Sequence, residues 1–338
     1  MKKEEIKKPS SLGIINNRYF IEKILGYGYS GMVYKAIDHE TNKIFAIKVF
    51  NEKGEKLFAN ESLINKKLSE IKSPFFIKYF YSSVGHFISK EKSEFKPFII
   101  FEFCEKGDAL NYFKSPLGER LSKIFFSKIL QAVKALHNIG ICHHDLKLNN
   151  FIFDGNFNLK LGDFGFSSLI EKKKNGMPKY QKIFAGTPHF KAPEVTLEKE
   201  YDGEKADIFS LGVILFNITF SKFGFSKFEL IDNKSLNLNN NLYKFIKENK
   251  KELYWSEIGK LININDISEE FKDLYFRMVS FNPKQRPKIE EIYNHEWLKE
   301  IRDLNDEELK AYEEELINEL KSRDLEMNKI KETEIQQN

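Results

Sequence analysis

Gly26-Tyr27-Gly28-Tyr29-Ser30-Gly31 is a G-x-G-x-x-G run, and Met32-Val33-Tyr34-Lys35-Ala36 after it has the pattern of a strand. A dinucleotide fingerprint places such a run between a strand and a helix. Strand, glycine turn and second strand instead make a lid that lays backbone N–H groups over phosphates. No G-K-S/T ends the run, so it is not of the Walker type. Phe45-Ala46-Ile47-Lys48 follows, with a lysine in an apolar strand. A charge there is costly without a counter-ion. Its natural work is to hold phosphates while an acidic residue holds it. Further along stand His143-His144-Asp145-Leu146-Lys147-Leu148-Asn149-Asn150 and Gly162-Asp163-Phe164-Gly165.

The elements that must position these groups are legible as patterns. Strands are predicted at Tyr19–Leu25, Gly31–Ile37, Lys43–Phe50, Ile77–Ser82 and Pro97–Phe103. One helix is predicted over Glu55–Ile71, with Phe58, Ile64, Leu68 and Ile71 near one face. The character then turns helical. Leu121–Ile139 is amphipathic and stops at Gly140, and Ala206–Phe220 is apolar on nearly every side. Glu269–Val279 and Lys288–Trp297 read as further helices. A β-rich part followed by a helical part implies two lobes with a cleft between them.

In order and spacing these motifs resemble the eukaryotic protein kinase family over about Tyr19 to Leu298. The resemblance implies an α+β, bilobal protein kinase fold: a small antiparallel β lobe with one main helix, and a larger, mainly helical lobe. It implies a kinase domain 19–300 divided at 103/104; outside it, the polar segment 1–18 reads as flexible and 301–338 as a helical tail. It also implies ATP and Mg²⁺ as cofactors. Gly26, Gly28, Gly31 and Val33 would cover ATP, and Lys48 would contact its phosphates. Leu25, Val33 and Ala46 would form the roof of the adenine site and Ile152 its floor. Phe101 takes the gatekeeper place, Glu102–Cys104 the hinge, and Asp108 the ribose contact. Asp145 would accept or orient the substrate hydroxyl proton, Lys147 would stabilise the transferring phosphoryl, and Asn150 and Asp163 would hold Mg²⁺. Lys48, Asp145, Asn150 and Asp163 are expected to converge on one cavity.

Lys147, two residues after Asp145, together with Thr187 in Gly186–Glu194, points to serine/threonine acceptors in protein substrates. Arg286 is expected to pair with Glu194. His295-Glu296-Trp297 resembles the final-helix signature of the calmodulin-dependent group.

Departures from the family pattern carry their own expectations. His144 stands where the family commonly has Arg, and Ser168 where a second base often helps. A histidine is mostly neutral near pH 7 and lacks the guanidinium fork. Phosphorylation between Phe166 and Thr187 is therefore not required for activity; Lys172–Lys174, Lys179 and Lys182 are the alternative receivers. Glu61 is the candidate partner of Lys48, yet it lies 13 residues before Pro74, about three more than usual, and Asn65 falls where an apolar residue is expected. Asn149 and Asn217 replace acids that would select basic substrates, and Phe166 leans toward serine acceptors. The register and His144 are the features that favour a rival reading, a pseudokinase scaffold or binding module.

Composition narrows the class. The net charge is +4 on 54 basic and 50 acidic residues, and so small an excess makes no case for a nucleic-acid footprint, which needs clustered charge. The two cysteines, Cys104 and Cys142, are far apart, as in a reducing compartment. No apolar run approaches ~20 residues, so no membrane span is expected, and residues 1–10 do not read as a signal peptide. A cytosolic or nuclear protein is the expectation. At 305–330, Asn305 and Glu308 form a capping box, and Leu309, Tyr312, Leu316 and Leu320 follow at helical spacing. That helix either packs on the last helix of the body or serves a partner; Glu313–Glu315 are expected to stay exposed.

Overall fold

The computed structural model describes residues 12–89, 92–170, 186–197, 200–220, 241–260 and 267–337. It divides into two compact units, one running to Glu105 and taking in Gly162–Gly165, the other comprising Lys106–Leu161 and the chain from Phe166. The α+β bilobal expectation holds, with the boundary two residues later than predicted and with Gly162–Gly165 returning to the first unit.

In the first unit six strands close into a barrel in the order β1-β2-β3-β4-β6-β5: β1 Gly13–Ile15, β2 Tyr19–Gly28, β3 Gly31–Asp38, β4 Ile44–Phe50, β5 Tyr79–Ser89 and β6 Ser93–Glu102. The first strand falls in the segment expected to be flexible. It pairs with β2 on one side and with β5 on the other, Ile15 opposite Phe87, and so removes both sheet edges. Strand β5 runs on to Ser89, past its predicted end at Ser82, and β6 begins at Ser93, before its predicted start at Pro97. Alternation along β4 sorts the side chains. Ile47 and Val49 point into the barrel with Ile15, Tyr19, Ile21, Tyr34, Ala36, Phe98 and Ile100. Ala46 and Phe50 join Ile99 and Phe101 on the opposite face, against which Val33 and Phe58 pack. Lys48 shares that second face by the period of two. Helix α1 spans Glu55–Ile71, as its periodicity predicts.

The second unit is built on α2 (Gly118–Asn138) and α4 (Gly203–Phe220). The latter is buried almost throughout, matching its unbroken apolarity. Short strands β7 (Gly107–Asp108), β9 (Phe151–Phe153) and β10 (Leu159–Leu161) form one sheet, while β8 (Ile141–Cys142) pairs with β11 (Ser168–Leu169). The remaining helices are α3 (Pro193–Thr196), α5 (Asn241–Lys247), α6 (Lys251–Gly259), α7 (Glu269–Met278), α8 (Ile289–Tyr293), α9 (Lys299–Arg302) and α10 (Asp306–Gln337). The helix predicted over Lys288–Trp297 is broken. Nδ1 of His295 accepts a bond from the Trp297 N–H at 3.2 Å, capping a 3₁₀ turn at Glu296–Leu298.

The tail helix differs from its expected packing. It lies on α2 and on the 3₁₀ turn Ala109–Tyr112, joined to α9 by the bond from the Tyr312 hydroxyl to Glu300. Leu316 and Leu320 are buried. Glu313 and Glu315 are not left to solvent alone: they pair with Lys128 and Arg120. Among the described residues no helix is long and apolar enough to cross a membrane.

Candidate active site

Lys48 is 6% exposed on β4, and its Nζ lies 2.9 and 2.8 Å from the two oxygens of Glu61 and 2.8 Å from Oδ1 of Asp163. All three belong to the first unit. The ion pair expected from the sequence is therefore present, and the three extra residues before Pro74 do not prevent it. Burial opposes the charge on Lys48, but Asp163 and Glu61 together outweigh it and hold the lysine above its ordinary pKa. Burial pushes Glu61 up, with Lys48 opposing.

Residues 163–165 are tied to α1. Asn60 Nδ2 donates to the Gly165 carbonyl at 3.4 Å, and Phe164, fully buried, meets Phe76 edge-on at 6.0 Å. Asp163 has φ 57, a left-handed conformation that aspartate tolerates better than most residues, and its side chain is 45% exposed. Asn65, buried at 1%, donates Nδ2 to the Glu61 carbonyl at 2.8 Å, while its Oδ1 has no partner. The amide thus occupies the apolar place by bonding back along its own helix.

The glycines separate into two kinds. A Cβ on Gly31 would sit 2.0 Å from the Val49 carbonyl oxygen, so strand packing itself requires that glycine. A Cβ on Gly26 would meet nothing within 4 Å, and on Gly28 only the Gly31 carbonyl at 3.7 Å. Of the expected adenine residues, Ala46 and Phe101 are buried side by side in the β4–β6 register, Val33 is half-buried, and Leu25 is exposed. Glu102 exchanges two bonds with Lys78, and Cys104 is buried.

In the second unit Asp145, 5% exposed, is the hub of a hydrogen-bonded cluster. Lys147 Nζ lies 2.7 Å from its Oδ2 and donates at 2.9 Å to Thr187 Oγ1. Thr187 donates its N–H and hydroxyl to Asp145 Oδ1 at 2.6 and 2.8 Å. Asn150 Nδ2 donates to the Asp145 carbonyl at 2.7 Å, which orients the side-chain amide. Asp108 and Ile152 are register partners in β7 and β9. Thus Asp108, Asp145, Lys147, Asn150 and Ile152 belong to the second unit and the other candidates to the first.

Asp207 organises the backbone just before Asp145, a role the sequence pattern did not reveal. Its oxygens accept the N–H groups of His143 and His144 at 2.8 and 2.9 Å and face His137 Nε2 at 2.9 Å. Burial opposes its ionisation, but the bond from His137 and the nearby imidazoles hold its pKa below the usual carboxylate value. The one charge in the apolar run Ala206–Phe220 was the available signal, because it must find partners.

His144 is buried at φ 65, its Nε2 2.8 Å from Ser168 Oγ and its Nδ1 3.2 Å from the Tyr201 hydroxyl. Burial pushes its pKa down to about 4, against the pull of Asp207. Its folded pKa is depressed, so its stabilising contribution is complete above the ordinary histidine value of ~6.5. That contribution is lost as pH falls toward 4. Between pH 7 and 5 the wild type should lose about 2 kcal/mol more than a His144→Asn variant, read from denaturant midpoints. Equal losses would show that the imidazole is not held neutral.

The same geometry removes His144 as a phosphate receiver, since both ring nitrogens are engaged by hydroxyls. Lys172–Lys174, Lys179, Tyr180 and Lys182 lie outside the described residues. Ser167 donates to the His143 carbonyl and Ser168 bonds His144, so replacing either would disturb packing. Phosphatase-treated protein and a Tyr180→Phe variant should both retain activity within about tenfold of untreated wild type. A larger loss in a rate assay would reveal another receiver.

Residues 19–298 match the family described as the protein kinase domain. The chain is 29% identical over 287 residues to "NUAK family SNF1-like kinase 1" of Homo sapiens, covering 84% of this chain and 39% of that one. It is 30% identical over 291 residues to "CBL-interacting serine/threonine-protein kinase 13" of Arabidopsis thaliana, covering 85% and 52%. It is 31% identical over 291 residues to "Probable cell cycle serine/threonine-protein kinase CDC5 homolog" of Encephalitozoon cuniculi, covering 84% and 55%. The chain thus spans about half the length, or less, of these curated relatives. A match over 280 consecutive residues, with the Lys48–Glu61–Asp163 and Asp145–Lys147–Thr187 clusters inside it, places this chain in the protein kinase family.

Proposed function

We propose that this protein transfers the γ-phosphate of ATP to serine and threonine hydroxyls of proteins, with Asp145 as catalytic base. The observation that carries the reading is the Asp145–Lys147–Thr187 cluster, which aims a buried carboxylate and an ammonium at one place. A carboxylate there accepts or orients the acceptor's proton, and the ammonium meets charge on the transferring phosphoryl. Phosphoryl transfer needs little else from the protein, since positioning and charge neutralisation carry the rate.

The cofactor assignments fit the residues present. Gly26 and Gly28 leave room where a side chain would stand, as a phosphate lid requires. Lys48, held charged by two carboxylates, suits contact with phosphates. Asp163 and Asn150 offer hard oxygen donors of the kind Mg²⁺ takes. Bound there, Mg²⁺ would neutralise phosphate charge. Ala46, Val33, Leu25 and Ile152 supply apolar surface for adenine, the backbone of Glu102–Cys104 its hydrogen bonds, and Asp108 the ribose contact. One of the two features favouring a binding module, the register of α1, is met by the 2.8 Å Lys48–Glu61 pair.

Asn149 and Asn217 cannot give charge-assisted pairing to arginine. An arrayed peptide library with Mg-ATP should therefore show phosphorylated serine, weaker threonine and no dominant arginine preference. An array in which no hydroxyl is phosphorylated would overturn the activity; a dominant arginine would overturn the substrate assignment.

A further inference from the structure

Helix α10 grips the segment that carries Asp108. One turn beyond Leu320, Arg323 is 9% exposed, and three of its five N–H donors are spent on backbone carbonyls. Nη1 donates to the carbonyls of Tyr112 and Ser115 at 2.7 Å each, and Nη2 to that of Pro116 at 3.0 Å. Nε donates to Glu319 at 2.7 Å, which fixes the fork on its own helix. The next residue grips the other end of the segment. Asp324 Oδ1 accepts the Tyr112 hydroxyl at 2.9 Å, and Oδ2 accepts Lys106 Nζ at 2.6 Å.

Between these two anchors lies the short strand Gly107–Asp108, paired with β9 so that Asp108 faces Ile152. Asp108 also accepts the Asn111 N–H at 3.3 Å, capping the turn Ala109–Tyr112. Tyr112 is 2% exposed and packs edge-on against Phe153 at 5.3 Å. The position of Asp108 is thus set from both sides by neighbouring residues of one helix, about 200 positions away in sequence. The bonds from Arg323 to the carbonyls of Tyr112, Ser115 and Pro116 are charge-assisted, which is the strong kind.

We infer that Arg323 and Asp324 are positioning residues for nucleotide binding: α10 acts as a clamp that holds Asp108 in place for the ribose of ATP. The inference rests on the kinase reading above and assigns α10 a task inside its own chain. Whatever displaces α10 from α2 weakens ATP binding, while the Asp145 cluster, held by Lys147, Asn150 and Thr187, keeps its turnover.

The test uses the full chain with Arg323→Ala, Arg323→Lys and Asp324→Asn. KM for ATP, KM for a peptide and kcat are measured, with the Kd for Mg-ATP by calorimetry alongside. Arg323→Ala should raise KM and Kd for ATP about tenfold, with kcat and peptide KM within about twofold, a change equivalent to ~1.4 kcal/mol. Lysine, which keeps the charge but not the fork, should restore part of the affinity. Asp324→Asn keeps the side chain's shape at a partly exposed position and should raise KM for ATP about threefold even if Arg323→Ala fails to fold. ATP constants within twofold of wild type in folded Asp324→Asn and Arg323→Lys, or a fall in kcat alone, would overturn the clamp. Wild type that binds no Mg-ATP would instead overturn the kinase reading, and the inference with it.

Discussion

Asp163→Asn is expected to slow phosphoryl transfer by ~10²–10³-fold and to leave the fold intact. Two properties separate the effects. The side chain is 45% exposed, so its replacement by an amide of the same shape disturbs no core. Its charge is the part that matters, because it holds Lys48 protonated together with Glu61 and would neutralise against Mg²⁺. An amide can do neither. Initial rates and the thermal midpoint, measured on the same preparation, check this. A rate within about tenfold of wild type would remove Asp163 from the mechanism. A collapsed midpoint would recast it as a structural residue.

Arg286→Ala should be the most destabilising single change considered, by about 3–5 kcal/mol. The guanidinium is fully buried and grips both oxygens of Glu194 at 2.6 and 2.7 Å. It also donates to the carbonyls of Ser280 and Lys205, each at 2.8 Å, and lies 5.0 Å from the centre of the Phe209 ring. Removing it leaves a buried carboxylate without a counter-ion. The pair itself need not be strongly stabilising, because desolvation offsets much of its attraction. The double variant Glu194→Gln with Arg286→Met should therefore be less destabilised than Arg286→Ala alone. Urea midpoints of the two decide. A double variant that is the worse of the two would mean that the ion pair, and not the orphaned charge, dominates.

Much of this was readable in the sequence because it rests on local pattern. The periodicity of Glu55–Ile71 marks α1 to the residue, and the unbroken apolarity of Ala206–Phe220 marks a buried helix. The chemistry of Lys48 followed from a charge in an apolar strand, and that of Glu61 from its being the one acid in the middle of its helix. What the sequence could not supply was partners at long range. Strand β1 is three residues long, too short for alternation to show, and exists because β2 and β5 both pair with it. Ser168 reads in sequence as a missing base, whereas in the structure it is the hydroxyl that occupies His144. Asp207 and Arg323 act on backbone carbonyls and amides, which leave no trace in side-chain pattern. The stripe Leu309–Leu320 revealed a packed helix but pointed to its nearest neighbour in sequence, when the apolar surface that receives it belongs to α2.

The activity proposed for the clusters at Lys48 and Asp145 is phosphate transfer to serine and threonine. Its most direct test incubates the full chain with Mg²⁺ and γ-labelled ATP on a generic basic protein, beside an Asp145→Asn variant, followed by identification of the labelled amino acids. Labelled serine, with less threonine, is expected in the wild type, and a rate lower by ~10²–10³-fold in the variant. Label on tyrosine alone, or Mg-ATP bound with no label transferred, would contradict it.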